Sequence, residues 1–162
     1  MCSFWPGAAD RSFQLLERME NQTKFLGNTE VAPQQRMYAT VIHVCGRTTL
    51  EEDKSKALQI AFQCYNKIIA NGIFPLWYTY HSLLLCIANL LPEGSEERAE
   101  LSKQVFEAAC GQGQVDRSVI LGLEKANPSL LLSYEALPEH SAMISEKQDS
   151  ASGKVMVGEA NY

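Results

Sequence analysis

The stretch ALQIAFQCYNKIIANGIFPLWYTYHSLLLCIANLL, Ala57 to Leu91, decides the fold. Its first half sets Ala57, Ile60, Ala61, Cys64 and Ile68 at i, i+3, i+4 spacing, one face of an amphipathic helix. Gly72 supplies the residue without Cβ that suits a left-handed helix end. Pro75, with fixed φ and no N–H, bars continuation. Beyond it Tyr80, Leu83, Leu84, Ile87 and Leu91 form a second stripe. The stretch reads as a helical hairpin. One hairpin cannot cover both of its stripes, so further helices must pack on it.

The pattern recurs on both sides. Ser12 to Met19 (SFQLLERM) lines up with Ala61 to Ile68 (AFQCYNKI), and Ser102 to Ala109 (SKQVFEAA) is a looser third copy. Val31-Ala32-Pro33 precedes Tyr38 as Ile73-Phe74-Pro75 precedes Tyr80, with the same spacing from proline to tyrosine. The two tyrosines are 42 residues apart (80 − 38), a period that marks stacked helical units.

These phrases resemble the pentatricopeptide repeat family over residues 8–126, and the related tetratricopeptide-like repeats share the same helix pair. Tyr38 opens the first helix of a full repeat, and Gly72-Ile73-Phe74-Pro75 is its closing turn. The resemblance implies an all-α fold, a right-handed α-solenoid of about three helical hairpins. It also implies a non-catalytic module for single-stranded RNA in a mitochondrion or plastid. In this family two side chains per repeat face one base. Carried over, Ala39 pairs with Leu76, His81 opens the following repeat, and Gln34 closes the preceding one. Ala39 and Leu76 have no side-chain donor or acceptor, so the expectation is weak, non-specific base readout. A protein–protein interaction scaffold on the same superhelix is the alternative.

Composition bears on both readings. The net charge of −5 argues against a broad basic surface and leaves room only for a local basic groove. The aromatic cluster Phe74, Trp77, Tyr78 and Tyr80 serves either packing between repeats or the stacking of single-stranded bases. Lys67, just before the turn, is a candidate phosphate contact, as are Lys54, Lys56, Arg36 and Arg47. The five cysteines are widely spaced with no C-x-x-C, and Cys45, Cys64 and Cys86 fall on apolar faces as small hydrophobes. Neither the histidines nor the acidic run Glu51-Glu52-Asp53 stands at a metal-ligand or triad spacing, so no catalytic residue, metal or cofactor is expected. No secretory signal opens the chain, and the best apolar run, Leu83 to Leu91, is too short to span a bilayer, so no membrane partner is expected.

Element boundaries follow from caps and breakers. Asp10 is a plausible N-cap for a helix to about Lys24, and the next helix runs from Gln34 to Arg47. A capping box, Thr48 with Glu51 or Thr49 with Glu52, would start the long helix to Asn71. Pro92 stops the helix that begins at Trp77, and Ser95 starts another that ends in Gly111 to Gly113. Val115, Val119 and Leu123 mark a further helix closed by Asn127-Pro128, and Leu130 to Leu132 a short one. The helical domain is 1–137; residues 138–162, poor in apolar periodicity, read as a disordered tail. The helix after Asp10 lacks a preceding partner, as if its repeat were truncated. Phe13, Leu16 or Met19 should then be uncovered, with self-association through that N-terminal helix or a marginal, frayed helix.

Overall fold

Seven α-helices and one short 3-10 turn, with no strand, make up the described residues, 7–27 and 29–136, of the computed structural model. The chain divides into two compact units, Met1–Pro128 and Ser129–Tyr162. The tail assigned to 138–162 lies outside the described residues, as does the aromatic start Phe4-Trp5. The first unit holds α1 (Ala8–Leu26), α2 (Gln35–Cys45), α3 (Glu51–Ala70), α4 (Trp77–Leu90), α5 (Glu96–Gly111) and α6 (Arg117–Ala126). The short α7 (Pro128–Glu135) follows; in it Leu131 is buried and Leu132 exposed. No helix of the described residues is long and apolar enough to cross a membrane.

Two of the expected caps are replaced. Gly7, at φ 70°, is the N-cap of α1, so Asp10 falls inside the first turn, where its charge still favours the positive helix end. Leu50, not Thr48 or Thr49, caps α3. The reason is local: the Thr48 N–H donates to the Cys45 carbonyl at 3.1 Å and so belongs to the turn that closes α2. Glu51, Glu52 and Asp53 then fill the first turn of α3 in place of a side-chain cap. Ser95 does cap α5, its Oγ accepting from the Arg98 N–H at 3.3 Å. Asp116 caps α6 in the same way, accepting from the Val119 N–H at 2.9 Å.

The turns after α3 and α5 are copies of one another. Gly72 and Gly113 take φ of 66° and 64°. The Ile73 N–H reaches back to the Ile68 carbonyl at 3.0 Å, and the Gln114 N–H to the Ala109 carbonyl at 2.9 Å. This 6→1 bond around a left-handed glycine is the Schellman ending, which satisfies carbonyls the helix cannot.

Helix α2 packs on α1, α3 and α4, while α4 packs on α2, α3, α5 and α6. The apolar stripes meet inside: Tyr38, Ile42, Ile60, Cys64, Ile68, Leu84, Ile87, Val105 and Leu123 are all buried. Each such side chain removed from water is worth about 1.5–3 kcal/mol. Helix α1 is not an open edge on this side. Phe13 and Leu16 are buried, because α1 packs on both α2 and α3. Its outward residues are instead Leu15, Phe25 and Leu26.

Burial also sets how the fold responds to alkali. It pushes the Cys45 and Cys64 thiols up to about 12 and raises that of Cys86, whose S–H donates to the Ile42 carbonyl at 2.9 Å. The Tyr38 and Tyr80 phenols are raised too, first by burial, then by Glu20 beside Tyr38 and by Tyr65 beside Tyr80. All five are held neutral in the folded chain, whereas the unfolded chain releases those protons from pH 9.0 to 10.0 upward. Their contribution is complete below that range and is lost as pH rises toward the folded values, by about 1.4 kcal/mol per pH unit for each group. The urea midpoint should hold level from neutral pH to about 8.5 and fall steeply above about 9.5. A midpoint unchanged through that upper range would contradict the buried placement of these groups.

Candidate nucleic-acid interface

Helices α2 and α4 begin alike. Gln34 and Leu76 are extended N-caps, and the Met37 and Thr79 N–H groups donate to their carbonyls, each at 2.9 Å. The prolines before them, Pro33 and Pro75, fix the entry into each helix. Because α2 packs beside α4, the two helices wall a groove of about 570 Å³. From α2 it is lined by Arg36, Ala39, Thr40 and His43, and from α4 by Trp77, Tyr78 and Ser82. No carboxylate is among them.

Several groove side chains are held in place. The Thr40 hydroxyl donates to the Arg36 carbonyl at 2.8 Å, and the Tyr78 hydroxyl to Gln35 Oε1 at 3.0 Å. The Trp77 ring stands edge-on to Tyr78, with centroids 5.6 Å apart and planes at 87°. Its backbone N–H donates to Gln114 Oε1 at 3.1 Å. The indole is thus braced yet 42% exposed. Arg36 and His43 are exposed beside it. A fixed aromatic face flanked by a guanidinium and an imidazole suits a planar ring that carries a negative charge.

The residues singled out from sequence part company here. Trp77 and Ala39 share the groove, with Ala39 only 4% exposed. Gln34 and Leu76 are exposed helix caps. His81 is turned toward α6: its Nδ1 lies 2.6 Å from the Ser118 carbonyl, which can only accept, so Nδ1 carries the proton. Lys67 lies apart from the groove. Its ammonium is bonded to Glu20, stands 3.9 Å from Glu17, and sits 5.2 Å above the Phe13 ring. Glu20 also accepts from the Tyr38 hydroxyl at 2.8 Å, which in turn accepts from Asn71 Nδ2 at 3.1 Å. This network braces α1, α2 and α3 rather than offering a free cation.

Of the other cations considered, Lys54 pairs with Glu51 at 2.7 Å and Lys56 with Asp10 at 2.9 Å, while Arg36 lines the groove. His43, which has no metal-ligand or triad spacing, stands four residues after Ala39 as Arg36 stands three before. That i−3, i+4 spacing is the signal that places all three on one helix face. Among the described residues, no group of three or more His, Cys, Asp or Glu is placed to hold a metal ion.

What fold and groove define together is an all-α protein of packed helices with an open groove lined by a guanidinium, an imidazole and an indole. Comparison with known proteins finds no family model, curated protein or solved structure that matches the chain.

Proposed function

We propose that the chain is a helical-repeat module of pentatricopeptide type that holds single-stranded RNA in the groove between α2 and α4, without catalysis. In this reading α2, α4 and α6 are the first helices of successive hairpins, α3 and α5 are their second helices, and α1 ends a preceding hairpin. The array is a right-handed solenoid of about three hairpins. One observation carries the reading: in a chain of net charge −5, the groove that exposes Trp77 is lined by Arg36 and His43 and by no carboxylate. Trp77 stacks on a base, and Arg36 neutralises a phosphate. Base readout is weak because the side chain between them is the methyl of Ala39 and the Thr40 and Tyr78 hydroxyls already donate within the chain.

The test is a filter-binding titration against homopolymeric RNAs at two salt concentrations. Binding should weaken with salt, log K falling by about 0.7 per phosphate contact per decade of salt. Arg36→Ala should remove about one contact from that slope. Trp77→Ala should leave the slope alone and lower affinity by about 1–3 kcal/mol, the worth of one stacked base. Lys67→Ala should leave the slope unchanged, since its charge is engaged with Glu20. Absence of binding to every homopolymer at low salt would overturn the RNA reading and leave the protein-interaction scaffold.

A further inference from the structure

Helix α1 sorts its charges by side. Its carboxylates lie on the side that carries the lysines of α3, Asp10 paired with Lys56 and Glu20 with Lys67, with the half-exposed Glu17 3.9 Å from Lys67. Its exposed charged residues, Arg11, Arg18 and Lys24, are all positive. Around Arg11 and Arg18 the outer surface shows Leu15, 57% exposed, and Phe25, 73% exposed, and Leu15, Arg18, Gln22 and Phe25 share one stripe at i, i+3, i+7 and i+10, while Lys24 lies on the Glu20 side. Helix α5 is the opposite. Its exposed charges are Glu96, Glu97, Glu100 and Glu107 against the single Lys103, which stands 4.0 Å from Glu107. Glu100 and Glu107 lie two turns apart on one outer stripe.

We propose that the outer face of α1 docks on the acidic outer face of α5 in a second copy of this chain. Two α1 faces would bring like charges together, and so would two α5 faces, so the charge pattern favours the unlike pairing. In that pairing Arg18 meets the glutamate row, and Leu15 and Phe25 lose water against the methylene stems of Glu100, Lys103 and Gln104. A contact between unlike faces is heterologous and leaves one face of each kind free on every dimer, so association proceeds head to tail, into chains or rings, and grows with concentration.

Sedimentation velocity on the full chain over a concentration series reads this directly. The mean mass should rise with concentration at about 0.1 M salt and rise less at about 1 M, where the screening length drops from about 10 to about 3 Å. Two variants, each checked for intact helicity by circular dichroism, separate the faces. Leu15→Ser with Arg18→Ser spoils the α1 face without reversing its charge, and Glu100→Arg with Glu107→Arg spoils the α5 face. Each alone should stay monomeric, while their equimolar mixture should stop at a one-to-one dimer, since each variant keeps one sound face. A wild-type chain that stays monomeric across the series would overturn the proposal. So would an α5 variant that still associates alone, or a mixture that shows only monomers.

Discussion

Truncating Leu16 to alanine should cost about 3 kcal/mol, while the same change at its neighbour Leu15 should stay within about 0.5 kcal/mol. Leu16 is 2% exposed and faces the core shared with α2 and α3, whereas Leu15 is 57% exposed on the outer side. Deleting three buried carbons loses their transfer energy and leaves a cavity that the packed neighbours only partly refill. Leu16→Glu would go further, placing a third carboxylate at a buried position beside a lysine, Lys67, already engaged with Glu17 and Glu20, and should leave no folded baseline at room temperature. Urea denaturation of the two alanine variants decides the register of α1. Equal costs at positions 15 and 16 would mean that the helix is rotated from the orientation described.

The second large effect is expected where α2 ends against α4. A Cβ added to Gly46 would lie 3.1 Å from Cys86 Sγ, 3.3 Å from the Cys86 backbone nitrogen and 3.4 Å from its Cα. Backbone cannot step aside as a side-chain tip can, and this crossing is further pinned by Asn89 Nδ2, which donates to the Gly46 carbonyl at 2.9 Å. Gly46→Val should therefore destabilise by about 2–3 kcal/mol through forced separation of the helices. Gly122 is the instructive contrast. A Cβ there would come within 3.1 Å of Leu84 Cβ and 3.2 Å of His81 Nδ1, but the site is inside α6, where alanine gains about 1 kcal/mol over glycine. Gly122→Ala should come out near zero. The same denaturation series measures both, and a Gly46→Val variant as stable as wild type would refute the tight crossing.

The helices of the central hairpin were legible because one rule sufficed. Ile60, Cys64 and Ile68, like Leu84 and Ile87, repeat at the helical period, and Gly72 and Pro75 mark the break. The first helix was less so. By matching letters, SFQLLERM aligns with AFQCYNKI at an offset of 49 (61 − 12). By burial the two helices align at 48: Phe13 with Ala61, Leu16 with Cys64, Glu20 with Ile68. Glu20 is a carboxylate where the repeat has an aliphatic residue, and what makes it tolerable, Tyr38 and Lys67, is far away in sequence. The candidate site divides in the same way. Trp77 stood out as an aromatic beside a turn, and Arg36 and His43 flank Ala39 at helical spacing. That Lys67 is already engaged depends on Glu17 and Glu20, and no local pattern announces a pairing across so long a stretch of chain.

The position of α4 has a consequence for how the protein comes apart. It has no Asp, Glu, Lys or Arg, buries eight of its residues, and lies against four other helices. In arrays whose units touch only their neighbours, units can be lost from an end one at a time. Here the hairpins on either side of α4 share it and cannot separate without exposing it, so α2 to α6 constitute one cooperative block. Helix α1, bound to α2 and α3 but not significantly to α4, is the piece free to open first. The size of the all-or-none unit is thus set by a single apolar helix rather than by the number of helices.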